Sequence, residues 1–385
     1  MIRELIENNC KKPVLSVKEL KRRLGETPIV LYGAGGSGTD ILEALRKADV
    51  FPVAFSDTDS GKWHTHVSGL EVVPHTELSS KFGRDISIIA CFYLNAEENM
   101  ASVRRLFSGY GITSVMHVSF FMCCPELFLP LRGSRSQLEI FDVLSDEQRE
   151  GIDRSYGLMS DDRSKALYRQ IIGFRCFLQG FEPLLGGDVE YFAFDHFAPK
   201  REEIFVDCGA YVGDTLREFL KIYKECFRQY IAFEPDPDNF RKLSEYACSL
   251  EYADRIRLSQ TALSDSKTTL RFDVGHGISS VVSQTGNGKV FAIPLDAALN
   301  KESVSFIKID VEGYERNVLL AAEDTIERCR PVLAVSVYHM LNDIWQLPLL
   351  LDKFCRNYKF FLYAPNYLAG PCVFAVPAER LAGPS

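Results

Sequence analysis

The sequence contains no C-x-x-C pair, although it has eleven cysteines. The usual zinc-ribbon and redox motifs are therefore excluded, and an odd number of scattered cysteines argues against a closed disulfide framework. The pattern is typical of reduced thiols and predicts a cytoplasmic protein. His64 and His66 have no third ligand near them in the sequence, so we expect no metal site.

Positive charge and long apolar runs are also scarce. The chain carries 44 Lys and Arg against 52 Asp and Glu, a formal net charge of −8. This balance does not favour a basic groove, so nucleic acid is not an expected partner. No apolar run approaches the roughly 20 residues of a transmembrane helix. The opening stretch MIRELIENNCKKP is typical of a charged helix start rather than of a signal peptide.

Apolar residues make up 46% of the 385 residues, which is enough for sizeable cores and predicts two or three domains. Short apolar runs lead through glycine turns into amphipathic helices. This alternation predicts an α/β fold with doubly wound, mainly parallel sheets.

The stretch IFVDCGAYVGDTLREFL, residues 204–220, carries the strongest local pattern. An apolar run predicts a buried strand, Asp207 ends it, and Gly209 and Gly213 form a D-x-G-x-x-x-G turn before an amphipathic helix. Asp207 would repel a pyrophosphate but favour a cationic or hydroxyl group, and S-adenosylmethionine offers both. The alternative is a strand-ending Asp and a helix-entry Gly in any α/β protein.

The next apolar run, Tyr230–Phe233, ends in Glu234. An acid at the end of the second strand is where a nucleotide ribose finds its hydroxyl acceptor, so Glu234 is the predicted ribose ligand. A surface-loop acid is the alternative. Pro235 and Pro237 break the strand, and a helix is expected from about Asp238.

An N-terminal region shows a second glycine turn. The strand Pro28–Tyr32 leads into GAGGSG, where Gly33, Gly35 and Gly38 have the G-x-G-x-x-G spacing, and Asp57 follows the next strand as a candidate ribose acid. The region is about one mononucleotide-binding half in size. It could bind NAD, a nucleotide or nucleotide sugar, or be a relic that only packs or dimerises, giving a homo-oligomer.

Two further strands end in polar residues. Phe306–Ile309 is a buried-type strand in which Lys308 shares a face with Asp310, which predicts an ion pair between them. Glu312 and Gly313 follow at its carboxyl end, and the strand Val332–Val337 is followed by Tyr338 and His339. Ligands bind at such carboxyl ends in open α/β sheets. A purely structural Lys308–Asp310 pair is the alternative.

Other segments complete the predicted organisation. Two helices of a connector, with Ser145 and Asp161 as N-caps, are expected to pack on the larger sheet and line its cleft. A glycine-rich segment, residues 275–289, is predicted to be either a mobile loop over that cleft or a plain hairpin. FFLYAP and PCVFAVP predict a closing antiparallel pair of strands.

The motifs FVDCGAYVGDT, AFEPDPDNF, TALSD, FIKIDVEGYE and SVYHMLNDIWQLPLLL occur in the order and spacing of the FkbM-type methyltransferases, which residues 200–376 resemble. The resemblance implies a class I S-adenosylmethionine-dependent fold with seven strands, the last one antiparallel. It also implies O-methylation of a hydroxyl, often on a sugar or a polyketide-like product. Cys208 departs from the usual residue after the first acid, without expected effect.

The resemblance also implies site residues. Asp207, Gly209 and Gly213 would hold the methionine end of the cofactor and Glu234 its ribose. The full predicted cofactor set is Asp207, Gly209, Ala210, Tyr211, Gly213, Thr215, Glu234, Pro235, Ala262 and Leu263.

An acceptor hydroxyl must lose its proton during methylation, so a general base is expected near the reacting centre. Asp310 and His339 are the candidates. We expect His339 to be the base and Asp310 to orient the hydroxyl, with Lys308 keeping Asp310 charged.

The predicted domains are a helical lead (1–26), a small Rossmann-like domain (27–124), a helical connector (125–200) and a class I methyltransferase domain (201–385). The predicted function is O-methylation of a sugar, glycan or related small metabolite. Two alternatives are a sugar-modifying enzyme that uses NAD or a nucleotide sugar at the N-terminal glycine turn, and a non-catalytic nucleotide-sensing module.

Overall fold

A computed structural model describes residues 27–91, 100–117, 144–177, 191–192, 196–272, 288–364 and 370–382, with positions 2, 18, 21 and 22. The chain divides into two compact units. The smaller unit comprises Asn9–Val143 and Gly173–Gly180, and the larger unit comprises Met1–Asn8, Leu144–Ile172 and Phe181–Ser385. The predicted domain boundaries stay predictions.

The smaller unit contains a four-stranded parallel sheet with the order β2-β1-β5-β6. Alternate residues of β1 enter two different cores. Leu31 packs with Leu42 on one face and Tyr32 with Phe107 on the other, so both faces are covered, as parallel sheets require. The elements are β1 (Ile29–Tyr32), α1 (Gly36–Lys47), β2 (Ala54–Ser56), the hairpin β3 (His66–Val67) and β4 (Leu70–Glu71), α2 (Leu78–Phe82), β5 (Ser87–Ala90), α3 (Met100–Ser108) and β6 (Ser114–His117). The two-residue strands of the hairpin had no signal in the sequence.

Gly38 explains why α1 can lie close to the end of β1. A Cβ atom at this position would lie 2.0 Å from the backbone oxygen of Gly33. We expect Gly38→Ala to lower the free energy of unfolding of the smaller unit by at least about 1–3 kcal/mol, because a backbone oxygen cannot yield as a side chain does. The matched control is Gly36→Ala, where a Cβ meets nothing within 4 Å and alanine favours the helix. Equal denaturation midpoints for the two variants would contradict this packing.

The larger unit is built on a seven-stranded mixed sheet with the order β15-β16-β14-β13-β7-β8-β9. The strands β14, β13, β7, β8 and β9 pair in parallel, and β16 runs antiparallel to both of its neighbours. The predicted seven strands with a reversed last strand are therefore confirmed. The strands are β7 (Glu203–Cys208), β8 (Phe227–Phe233), β9 (Ile256–Ser259), β13 (Phe306–Ile309), β14 (Val332–Ser336), β15 (Tyr358–Tyr363) and β16 (Cys372–Pro377).

A second, three-stranded sheet lies in the same unit, with the order β10-β12-β11. Its strands are β10 (Ala262–Leu263), β11 (Thr268–Phe272) and β12 (Gly288–Ile293). Most of the glycine-rich segment before β12 lies outside the described residues, so neither prediction for it is tested.

Two of the helices that begin in this unit have a side-chain N-cap that the sequence predicted. Ser145 accepts from the backbone N–H of Gln148 and forms a capping box, and Asp161 accepts from the backbone N–H of Ser164 at 2.6 Å. Both predicted N-caps are therefore confirmed. The helices are α4 (Asp146–Leu158), α5 (Asp162–Phe177), α6 (Asp214–Tyr223), α7 (Pro237–Cys248), α8 (Leu295–Leu299), α9 (Glu315–Leu320), α10 (Glu323–Cys329) and α11 (Asp343–Phe354).

An aromatic core fixes the central strands. Phe205 of β7 packs against Phe219 of α6, Tyr230 of β8 and Phe306 of β13, and all four side chains are fully buried. Aromatic side chains bury more apolar area than other residues and prefer defined ring geometries. This packing holds the carboxyl ends of β7, β8 and β13 at one edge of the sheet.

In the part of the chain that the structure describes, every helix is too short or too polar to span a membrane.

Candidate active site

A cavity of about 280 Å³ opens in the larger unit at the carboxyl ends of the parallel strands. Many of the residues predicted from the strand ends line this cavity, and their functional roles stay predictions. The predicted residues in its wall are Gly209, Tyr211, Thr215, Glu234, Pro235, Ala262, Leu263, Lys308 and Asp310. The predicted residues outside its wall are Asp207, Ala210, Gly213 and His339.

The glycine turn after β7 is pressed against the end of β13. Gly209 has φ +87°, and a Cβ there would lie 1.9 Å from the backbone oxygen of Asp310. Gly213 has φ +85° and is the N-cap of α6. Both positions need a residue that adopts the left-handed region without strain, which is why the turn carries glycine.

Glu234 closes the turn from the side of β8. Its carboxylate accepts from the backbone N–H of Tyr211 at 2.8 Å and from that of Asp236 at 2.9 Å. Burial raises the pKa of Glu234 to about 7, although both amides stabilise the charged form. The acid therefore faces the cavity next to the turn and changes charge near neutral pH.

The buried Lys308 has a different main partner from the one predicted. Its ammonium lies 3.0 Å from the carboxylate of Asp207 and donates to the backbone oxygen of Gly209 at 2.5 Å. The sheet register places Lys308 directly beside Asp207 on the neighbouring strand, so the predicted Lys308–Asp310 ion pair is wrong. Burial alone would lower the pKa of Lys308, but Asp207 and then Asp310 raise it, so the ammonium stays charged.

Asp207 is fully buried and also accepts from the hydroxyl of Tyr230. Beneath the cavity, its carboxylate contacts Lys308 and Tyr230 rather than the cavity itself. The prediction that Asp207 itself contacts the methionine end of a ligand is therefore wrong in its geometry, because the side chain does not reach the cavity. Its role is to hold Lys308 under the turn.

Asp310 reaches the cavity and is held by two tyrosines. Tyr191 donates to one carboxylate oxygen at 2.7 Å and Tyr338 to the other at 3.3 Å. Burial would raise the pKa of Asp310, but the charges of Lys308 and then of His339 lower it. Asp310 is therefore an ionised, oriented hydrogen-bond acceptor at the cavity wall.

His339 does not occupy the predicted position. It is 3% exposed, and its Nδ1 lies 2.9 Å from Glu315, while its Nε2 lies 3.5 Å from both Asp310 and Glu312. Burial opposes its charge, but Glu315 and the other two carboxylates raise the pKa of His339 well above its usual value. The prediction that His339 is the general base is therefore wrong. The imidazole has carboxylates beside both ring nitrogens and lies behind Asp310, outside the cavity wall.

Nine of the eighteen wall residues were not predicted as site residues, and two of these, Tyr338 and Tyr191, hold Asp310. Tyr338 lies two residues after the end of β14, so its place near a carboxyl strand end was a usable signal. Tyr191 comes from the connector, which was predicted to line the cleft without naming a residue. Its ring lies 5.3 Å from the Lys308 ammonium, a cation–π distance.

The N-terminal glycine turn of the smaller unit has an acid beside it, as the turn after β7 has Glu234. Asp57 accepts from the backbone N–H groups of Ala34 at 2.8 Å and Asp59 at 2.9 Å, as Glu234 does from its own turn. The difference is Lys62, whose ammonium lies 2.9 Å from the Asp57 carboxylate. Burial would raise the pKa of Asp57, but the Asp59 amide and Lys62 lower it. Ligand binding by Gly33, Gly35, Gly38 and Asp57 stays a prediction.

The seven-stranded mixed sheet, with a cavity at the carboxyl ends of its parallel strands, defines an α/β fold of the methyltransferase type. Comparison with protein families identifies residues 207–362 as a Methyltransferase FkbM domain. This part of the chain is therefore similar to FkbM methyltransferase domains.

One solved structure supports the fold. A structure of Methyltransferase FkbM from Methylobacillus flagellatus KT matches with a TM-score of 0.68 over 97% of this chain and 98% of that chain, at 19% identity. An rRNA methylase from Streptococcus thermophilus matches 46% of this chain and 86% of its own, with a TM-score of 0.31 and 17% identity. Aeropyrum pernix fibrillarin with bound S-adenosyl-L-methionine matches 46% of this chain and 67% of its own, with a TM-score of 0.31 and 11% identity. The last two scores are too low to support an argument. A search of curated proteins gave no match.

Proposed function

We propose that the larger unit is an S-adenosylmethionine-dependent O-methyltransferase that acts on a hydroxyl of a sugar, glycan or related small metabolite. The observation that carries the proposal is the carboxylate of Glu234, which faces the cavity beside the glycine turn. A ribose with two neighbouring hydroxyls is the ligand group that such an acid recognises at the end of a second strand.

The charges of the cavity fit this cofactor better than a phosphate-bearing one. Glu234, Asp310, Asp214 and Glu312 are acids in its wall. The lysine among the described wall residues, Lys308, is already held by Asp207. Such a wall repels phosphate and accepts an ammonium, a sulfonium and ribose hydroxyls.

The wall also divides by chemistry into regions for the parts of the cofactor. Gly209 and Tyr211 of the turn would hold the methionine end and Glu234 the ribose. Ala262 and Leu263 are buried and apolar, which suits the adenine. When bound, the cofactor supplies a methyl group activated by a sulfonium, and the protein contributes proximity and alignment.

Asp310 is proposed to orient the acceptor hydroxyl and take its proton. It is the acid that two tyrosines hold rigidly at the wall, and an acceptor hydroxyl within hydrogen-bond reach would donate to it. With His339 buried behind it, Asp310 takes the role predicted for both residues.

Binding of S-adenosylhomocysteine tests the proposal through its pH dependence. If the ribose hydroxyls donate to ionised Glu234, whose pKa is about 7, affinity should rise with pH. Binding only to the ionised form makes the affinity about tenfold weaker at pH 6 than at pH 8. Isothermal titration calorimetry across this range measures the effect. Asp236 and Lys308 are the other charged groups that influence Glu234.

Glu234→Gln is the control, because it removes the titration and should flatten this pH profile. Glu234→Ala should weaken binding by about 1.5–3 kcal/mol, the contribution of a charged hydrogen-bond acceptor. A wild-type affinity that does not change with pH would remove Glu234 from the ribose site. Absence of binding by folded protein at every pH would overturn the proposed function.

A further inference from the structure

Three carboxylates surround the imidazole of His339 behind the wall of the cavity. Nε2 lies 3.5 Å from Asp310 and 3.5 Å from Glu312, and Nδ1 lies 2.9 Å from Glu315. One imidazole cannot pair closely with three acids at once, and buried charged groups are normally paired or coordinate a metal.

The Nε2 side of the imidazole is not satisfied by a close hydrogen bond. Nδ1 forms a 2.9 Å ion pair with Glu315, whereas Nε2 is buried without a hydrogen-bond partner. A separation of 3.5 Å is longer than a normal N–H···O hydrogen bond of about 2.7–3.2 Å. A buried imidazole that points Nε2 at two carboxylates from this distance leaves room for something between them.

The separations match those around a metal ion. Two ligand atoms that each lie about 2.1 Å from a tetrahedral ion are about 3.4 Å apart, close to the 3.5 Å between Nε2 and each of the two carboxylates. Asp310 and His339 belong to a group, completed by Glu315, whose possible ligand atoms all lie within 4.8 Å of one another. Glu312 is not part of that group, and its place in the site rests on its 3.5 Å distance from Nε2.

Glu315 lies beside Nδ1, on the side of the imidazole opposite to Asp310 and Glu312. Its Oε1 accepts from the backbone N–H groups of Val311 at 2.8 Å and Gly313 at 3.3 Å, which fix the carboxylate against Nδ1 of His339. Metal-binding histidines commonly donate their other ring N–H to such a carboxylate, which fixes the tautomer and aims the free nitrogen at the ion. Here the free nitrogen is Nε2, and it faces Asp310 and Glu312.

We propose that His339 Nε2, Asp310 and the partly exposed Glu312 bind a divalent cation, with Glu315 as the positioning carboxylate behind the imidazole. One nitrogen and carboxylate oxygens suit Mn²⁺ or Zn²⁺. Binding displaces the proton from Nε2. This replaces the sequence-based expectation of no metal. The role of the cation rests on the proposed function. Beside Asp310 at the cavity wall, the cation would bind the acceptor hydroxyl and lower the pKa of that hydroxyl.

Mn²⁺ binding tests the site without an acceptor. The full chain is stripped with a chelator, and free Mn²⁺ is followed by electron paramagnetic resonance during titration. We expect one saturable site per chain that is lost in His339→Ala and weakened at least tenfold in Glu312→Gln. Glu315→Gln should weaken it about 10- to 100-fold, the usual effect of losing the carboxylate behind a ligand.

His64→Ala is the matched control. This imidazole also faces two carboxylates, Glu71 at 3.5 Å and Glu77 at 3.7 Å, but its side chain is 58% exposed. Mn²⁺ binding should be unchanged in this variant. Circular dichroism establishes that each variant is folded, and Glu312→Gln keeps the test valid if His339→Ala does not fold.

Two outcomes separate this inference from the proposed function. Folded protein that binds S-adenosylhomocysteine but shows no saturable Mn²⁺ binding, or keeps it in His339→Ala and Glu312→Gln, overturns the metal site alone. Protein that binds Mn²⁺ at this cluster but no S-adenosylhomocysteine supports the metal site and overturns the methyltransferase proposal.

Discussion

Asp310→Asn is expected to lower acceptor turnover by a factor of about 10² to 10⁴, the usual contribution of a positioned proton acceptor. Asparagine keeps the shape of the side chain and can still accept from Tyr191 or Tyr338, but it cannot take a proton. Affinity for S-adenosylhomocysteine should stay nearly intact, since the ribose is assigned to Glu234. The measurement is transfer of a labelled methyl group to an acceptor found by screening sugars and related metabolites.

The control for this variant is Asp352→Asn, which removes an exposed acid from α11 in the same unit. It should leave turnover unchanged. Near-normal turnover in folded Asp310→Asn protein would show that another group accepts the proton and would remove Asp310 from the proposed mechanism.

Lys308→Met should lower the free energy of unfolding of the larger unit by about 3–5 kcal/mol, the typical loss when one partner of a buried ion pair is removed. The reason is that Asp207, which is fully buried, would keep only the hydroxyl of Tyr230 as a side-chain partner. Denaturant unfolding followed by Trp345 fluorescence, in a Trp63→Phe background, reports on the larger unit because the chain has two tryptophans.

A double variant shows whether the loss comes from the unpaired charge. Adding Asp207→Asn to Lys308→Met should recover part of the stability, because the remaining group is then neutral. The surface pair Lys221–Glu218 is the control, since Lys221 is 68% exposed and Lys221→Met should change stability by less than about 1 kcal/mol. Similar effects of the two Lys→Met substitutions would contradict the importance of the buried pair.

Local patterns in the sequence predicted the elements of the fold well. The strand Phe306–Ile309 agrees with its predicted range, and the N-caps Ser145 and Asp161 lie where predicted. These features depend on residues close in sequence: apolar runs, turn glycines and side chains that accept from amides three residues ahead. The location of the cavity followed as well, because parallel strands expose their carboxyl ends at one edge.

The sequence alone did not predict which side chains pair between neighbouring strands. The pairing of Lys308 with Asp207 depends on the register between β13 and β7, which no periodicity of either strand specifies. The environment of His339 depends on Glu315 at the start of α9, which folds over the end of β14 and encloses the imidazole. A residue that follows a buried strand can face either the cavity or a neighbouring helix. Here Tyr338 lines the cavity, whereas His339 contacts Glu315 of α9.

The close approach of Gly209 to the backbone oxygen of Asp310 limits how this protein can be redesigned. Because no side chain fits between the two backbones, a change that moves the end of β13, where the proposed acceptor residue Asp310 lies, also moves the turn proposed to hold the cofactor. Engineering a new acceptor range by insertions or backbone changes near Asp310 should therefore impair cofactor affinity. Substitutions at Tyr191 and Tyr338 alter the acceptor side through side chains alone, so a library at these two positions is the better starting point.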